Sequence, residues 1–395
     1  MLTSWNFADT DVKTATISFL MLFPGFFFYN FFVGKGIIPP FLGGYFGVVA
    51  AFFSVLLILT NIKRYYYQPD LVLVIFFSFL LFDFIVIFAN FVHGVPNSYA
   101  AELFFWSINS LFFNIVCFLI ASKFNFKYVA SKGIVFFVPM FLIVIFNIGD
   151  SGIFYIREEA GSAAEFTSSY QGAARSIVAI LLISCAYYFQ KGAKFYLVFF
   201  LGITCLFFNG ARTEFVLFFL SVIFLYLTFS ITSLKSLLKL ILIILSISIV
   251  VSYIITFLPD SRMLELLTLD KSSSGEARFD TLKFGVTQIS EFPFMGSYGS
   301  YVELGGIGFF PHNFISVWVN LGLIGILLYS GLFLMLWFIA ILAILKKERS
   351  EYFTVYFIFL MFVTASVIIS KPYNYMFVGF LVGLYVQYKQ YLKGL

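Results

Sequence analysis

His312 is one of only two histidines in this 395-residue chain, and it stands in Phe309-Phe310-Pro311-His312-Asn313, where a long polar segment meets an apolar run. Arg278 lies upstream in the same segment, and Arg212 follows Asn209-Gly210-Ala211 at an earlier turn. An imidazole can take a proton from a hydroxyl near neutral pH. A guanidinium presents a planar fork of N–H donors that matches the oxygens of a phosphate. A base and two such forks on one side of a membrane suit chemistry on a lipid-linked phosphate.

Each of these residues also has a plainer use. Ser273-Ser274-Gly275-Glu276 reads as a capping box, which predicts a helix from there to about Glu291, ending before Pro293. Arg278 then falls in its second turn, where a cation opposes the helix dipole by roughly 0.3–1 kcal/mol. An arriving anion would reverse that sign; an ion pair with Glu276 or Asp280 is the alternative. His312 precedes the next helix, whose positive end favours the neutral, basic imidazole; it could equally be an interfacial residue or a helix cap. Arg212 could clamp a pyrophosphate or snorkel to headgroups, with Glu214 beside it to fix its rotamer. Arg175, just past Gln171-Gly172, is a further phosphate or sugar contact or a snorkelling anchor, and Arg157 is read the same way. His93, in a short turn, reads as solvated. Asp83 is the one acid in the middle of an apolar span, expected to be protonated or bonded to a neighbouring helix.

The elements that must hold these groups are membrane helices. The chain is 62% hydrophobic and 11% charged, with mean hydropathy +1.01, a balance no water-soluble domain tolerates. Twelve apolar runs, at about 15–33, 37–61, 71–91, 102–121, 133–149, 173–190, 195–209, 214–232, 240–258, 313–345, 352–369 and 375–391, predict an all-α polytopic membrane protein, a single domain over residues 1–395. No cleavable signal is expected at the N-terminus. The lysines at 63, 123, 127, 132, 191, 194, 235, 239, 346, 347, 389 and 393 fall in alternate gaps, which predicts that those gaps and both termini are cytoplasmic. Lys35, Lys271, Lys283 and Lys371 fall on the other side. Arginine defies the bias: Arg157, Arg175, Arg212, Arg262 and Arg278 are all predicted outside or at the outer rim. The net charge of +5 follows the loop lysines and gives no reason to expect nucleic acid.

Two outer loops are more than turns. Residues 150–172 form the smaller, and 259–312 the larger, expected to carry short helices and the catalytic groups. Arg262-Met263-Leu264-Glu265-Leu266-Leu267 reads as an amphipathic surface helix. Gly296, Gly299, Gly305, Gly306 and Gly308 predict a flexible run up to His312. Gly43, Gly44, Gly47, Gly322 and Gly325 are expected to permit close helix packing. Cys117, Cys185 and Cys205 all fall inside apolar runs and read as packing residues. No metal-ligand spacing and no phosphate-cradling glycine loop appears, so the chemistry is expected to need neither metal nor cofactor.

Four short stretches carry a family resemblance: Gly210-Ala211-Arg212, Ser274-Gly275-Glu276-Ala277-Arg278, Pro293-Phe294-Met295-Gly296, and His312-Asn313 followed by Gly322 and Gly325. Together, over roughly residues 205–330, they resemble the O-antigen polymerase and O-antigen ligase superfamily of bacterial envelope polysaccharide enzymes. The resemblance implies a metal-independent glycosyltransferase of the bacterial inner membrane with a periplasmic active site. It implies that Arg212 and Arg278 bind the pyrophosphate of an undecaprenyl-linked oligosaccharide and that His312 acts as base. Arg175, Arg157, Asn313, Glu276 and Glu214 would then be substrate-binding candidates, with a polysaccharide chain-length regulator as a further partner. The polymerase is the first expectation, the ligase that transfers polymer to lipid A-core the second, and a polysaccharide flippase the third.

Overall fold

In a computed structural model, the structure describes residues 10–39, 46–59, 69–93, 99–149, 154, 170–230, 273–307 and 309–394, with isolated positions 238, 241, 245 and 252. Its regular elements are helices throughout. In chain order they are α1 (Thr10–Gly34, with a π-turn at Met21–Gly25 around Pro24), α2 (Phe46–Leu59), α3 (Leu71–His93), α4 (Ala100–Ala121), α5 (Phe126–Phe146), α6 (Tyr170–Tyr188) and α7 (Ala193–Asn209). There follow α8 (Arg212–Ser230), α9 (Ser273–Glu291), the single turn α10 (Val302–Gly305), α11 (Ile315–Leu345), α12 (Glu351–Ile369) and α13 (Phe377–Leu392). Eight of these helices are long and apolar enough to cross a membrane, and α2 and α7 are shorter apolar helices. The protein is an α-helical membrane protein. A helix stands at each expected span except 240–258, of which only positions 241, 245 and 252 are among the described residues; residues 155–169, with Arg157, and the amphipathic stretch at 262–267 lie outside them.

Apolar runs of this length become helices because lipid leaves backbone groups no other partner. Local polar residues close the ends. The Asp70 carboxylate accepts the Leu73 amide (2.9 Å) at the start of α3. Asn125 accepts the Tyr128 amide (2.9 Å) before α5, and Ser350 the Phe353 amide (3.2 Å) before α12. The closest helix packing is between α4 and α13. There Gly379 and Gly383 bring α13 against the carbonyls of Asn114 and Phe118, leaving no room for a Cβ. Gly47, by contrast, meets only ordinary side-chain contact from Phe26, and Gly43 and Gly44 lie outside the described residues. The three cysteines are buried and unpaired, as packing residues should be.

The two ends of the bundle differ chemically. At one end Glu351 pairs with Lys127 (3.0 Å) and Lys191 (3.3 Å). Asp70 there pairs with Lys389 and also accepts the Tyr385 hydroxyl (2.6 Å). Burial alone would raise the Asp70 carboxyl, but Lys389, Tyr385 and the Leu73 amide together hold it below its usual value. The 19 residues of α12 rise about 28 Å from Glu351 to the opposite end. Ser370 and Lys371 follow there, and the candidate site is at that end.

The segment between α9 and α11 departs from the flexible run expected of its glycines. α9 begins at Ser273 and ends before Pro293, as the capping box predicts. Beyond it the chain folds into a compact turn. Tyr301, Val302 and Phe310 bury themselves with Leu103 of α4, flanked by Trp106, Phe284 and Tyr298, in a small second core. Tyr298 and Ser107 share a short hydrogen bond (2.5 Å). Aromatic burial, invisible to a count of glycines, orders the segment. Gly322 likewise serves a different purpose from helix packing. Its backbone (φ 62°, ψ −159°) breaks α11 after two turns. The Leu323 amide bonds Phe294 O (3.0 Å), the Ser297 amide bonds Val319 O (2.6 Å), and the Trp318 indole bonds Pro293 O (2.8 Å). Pro293-Phe294-Met295-Gly296 is thus the turn that fills the break. Gly296 is required beside it, because a Cβ there would lie 2.6 Å from the Gly322 nitrogen.

Candidate functional site

A cavity of about 770 Å³ opens at the end of the bundle away from the Glu351 cluster. His312, Arg278, Arg212 and Arg175 all line it, and so do Glu214 and Lys371. Residues from six separate helices and three connecting segments therefore meet in one space.

Each side chain is placed by local structure. Gly210 ends α7 in the left-handed conformation (φ 74°), a turn that lets α8 start immediately with Arg212 and Glu214 in its first turn. Arg175 sits in the second turn of α6, its Nε donating to Gln171 O at 3.4 Å, with Gln171 and Gly172 also in the wall. Arg278 is exposed on α9, one turn before buried Thr281, whose hydroxyl donates to Arg278 O (3.0 Å). His312 is half-buried, its ring 4.7 Å from that of Phe310. α9 is seated against this segment at Gly285, where a Cβ would come within 2.6 Å of Pro311 Cγ and 3.3 Å of Val319 Cγ2.

Asn313, expected at the substrate, stands just before α11, where its Oδ1 accepts the Ile315 amide (3.1 Å). It does not line the cavity. The Glu214 carboxylate pairs with Lys371 at 2.5 Å and not with neighbouring Arg212. Glu276 lies in the first turn of α9, but its side chain is outside the described residues, and Arg157 is outside them altogether.

Lys371 is the residue sequence reasoning passed over. It was legible only as a lysine on the side the others avoid, the same signal that singled out the arginines. It is carried on the turn from Ser370 to Met376, which four polar contacts pin to the bundle. Tyr373 donates its hydroxyl to Asp83 (3.2 Å) and its amide to Ser316 Oγ (3.1 Å), while Tyr329 donates to Tyr373 O (3.1 Å) and Asn114 to Asn374 O (3.0 Å). Asp83 thus does bond a neighbouring element. Burial first, and then the nearby Asp83 carboxylate, push the Tyr373 phenol well above its usual value. Tyr375 points into the same wall; burial, reinforced by Glu214 and opposed by Arg175, raises its phenol too. Among the described residues its buried hydroxyl has no partner in hydrogen-bonding geometry.

No protein-family model and no curated protein matches this chain. The chemistry must be read from the cavity. One part of its wall is cationic, from Arg175, Arg212, Arg278 and Lys371, with Glu214 as counter-charge and His312 as the one imidazole. Asn109, Ser110, Gln171 and Thr281 add neutral hydrogen-bonding groups, and Trp106, Phe309 and Phe310 add aromatic faces. Another part is apolar: Leu22, Phe23 and Phe26 of α1, Val48 of α2 and Phe113 of α4. Such a lining suits an amphiphile with a multiply charged anionic head, and the volume lies in the range of small-molecule sites.

Proposed function

We propose that this protein is an O-antigen (surface polysaccharide) polymerase of the bacterial inner membrane. It would transfer a glycan from undecaprenyl pyrophosphate to another lipid-linked repeat unit at the periplasmic face. The observation that carries this reading is the meeting of His312 with three arginines and Lys371 in one cavity, another part of whose wall is apolar. A prenyl diphosphate needs both surfaces, and its sugars need the neutral and aromatic groups between them. The lysine-rich end of the bundle lies opposite, which by the positive-inside bias supports the periplasmic assignment.

In this mechanism the His312 imidazole takes the proton of the acceptor hydroxyl, and that oxygen attacks the anomeric carbon of the donor sugar. The bond from this carbon to the phosphate oxygen breaks, with inversion, and undecaprenyl pyrophosphate leaves with the bonding electron pair. Negative charge grows on the departing diphosphate, so fixed guanidinium groups around it stabilise the transition state more than the ground state. Glu214 holds Lys371 until substrate enters.

The test is a transfer reaction with purified protein and lipid-linked oligosaccharide. Longer lipid-linked chains are expected, and His312→Ala should abolish them while leaving the fold intact. Product on lipid A-core instead would identify a ligase. Unchanged polymer from His312→Ala would refute the base, and transport without transfer would favour a flippase.

A further inference from the structure

The turn that fills the break in α11 is apolar on its outside. Phe294 and Met295 are 69% and 83% exposed, and Phe292 before them is exposed as well. On α9, Phe279 and Val286 are exposed two turns apart on one face. Large side chains of this kind left in water forgo about 25 cal/mol for each Å² they could bury.

Three features of the turn fit lipid in place of water. First, its non-helical backbone is bonded inward. Phe294 O and Pro293 O accept from Leu323 and Trp318, Ser297 N donates to Val319 O, and the Gly296 amide bonds Phe292 O at 3.0 Å. Irregular backbone is tolerated at membrane depth only where its polar groups are met by protein in this way. Secondly, the Leu323–Phe294 bond sets the turn at the head of a continuous stripe on α11. Ile324, Leu327, Leu334, Phe338, Ile341 and Leu345 are all exposed at helical spacing on this membrane-spanning helix. Thirdly, exposed Lys283, Ser290 and Glu291 flank the apolar positions, the mixture of an element lying at an interface.

We propose that the Phe292–Met295 turn is immersed in the bilayer leaflet beside the cavity, with α9 lying along the membrane surface, so that lipid acyl chains cover Phe294 and Met295. The inference is independent of the polymerase reading. It would anchor the helix that carries Arg278 to the membrane.

The experiment uses the full chain reconstituted at one copy per phosphatidylcholine nanodisc. Met295→Cys carries an environment-sensitive fluorophore, and the buried native thiols Cys117, Cys185 and Cys205 supply the unlabelled background. Lipids brominated along the acyl chain should quench the probe, and aqueous iodide should quench it roughly threefold or more weakly than the same probe at Ser290→Cys. Phe294→Cys, also at an exposed position, should repeat the result if the first variant folds poorly. Iodide quenching equal to that at Ser290 would overturn the proposal. So would a probe shielded from iodide yet indifferent to brominated lipid, which would place protein over the turn.

Discussion

Gly285→Ala separates positioning from stability at this site. A Cβ at residue 285 would lie 2.6 Å from Pro311 Cγ and 3.3 Å from Val319 Cγ2. Carbon atoms settle at about 3.5–4.0 Å, so the contact must open by about 1 Å. The proline ring cannot rotate away, and it belongs to the residue next to His312. α9 must therefore move off that segment, and it carries Arg278 two turns upstream. The stability terms offset in part: overpacking costs about 1–3 kcal/mol, and replacing a helical glycine by alanine returns about 1 kcal/mol, a net loss of about 0–2 kcal/mol. The geometric effect does not cancel, since a misplacement near 1 Å can cost on the order of 10²-fold in rate. Under the proposed function, the expected outcome is a folded protein, with a thermal midpoint within a few degrees of the parent, whose glycan transfer in proteoliposomes falls by about two orders of magnitude. Gly331→Ala, in open space on α11, is the control and should leave transfer unchanged. Parental transfer from Gly285→Ala, with an unchanged midpoint, would show that the Arg278–His312 spacing does not govern the reaction.

Three further outcomes follow from the same geometry. Glu214→Leu strands the Lys371 ammonium, whose side chain is only 13% exposed, and should lower stability by about 3–5 kcal/mol; Glu214→Leu with Lys371→Met should recover most of it, measured by thermal unfolding in detergent. Gly322→Ala forces a side chain onto a backbone at φ 62° and against Phe294 O; it should release the turn, seen as new protease cleavage between Glu291 and Ser297. Asp70→Asn tests the clasp at the other end of the bundle. The Asp70 carboxyl is held below its ordinary 3.8, so its contribution is present above that pH and disappears as pH falls through the lower folded value. The variant should unfold at lower temperature than the parent at neutral pH, with the gap closing in acid; a gap that persists there would refute the assignment.

The sequence carries the helices and the convergence of charge unequally. Long apolar runs can only be helical in lipid, so α3, α4 and α12 begin and end within a few residues of where hydropathy puts them. The arginines stood out because they sat where topology disfavours positive charge, and three of them do line one cavity with His312. Lys371 broke the same rule, but a lone lysine in a short turn has no motif around it. Its role depends on Glu214, 157 residues away in sequence. Gly322 was misread for a related reason. A helix break is defined by which amide or carbonyl lies opposite, and the partner of this one, Phe294, belongs to another element. Ordering of the glycine-rich run depends on Leu103 and Trp106 of α4, so no local property of the run could disclose it.

The joint in α11 also bears on mechanics. The stub from Ile315 to Leu321 is bonded to the Phe294 turn through Val319 and Trp318, and Tyr373 joins Ser316 of the stub to Tyr329 of the rod. When membranes thicken or thin, a lean of the rod is therefore passed to the stub that follows His312. Under the proposed function, turnover should accordingly differ between short- and long-chain lipids.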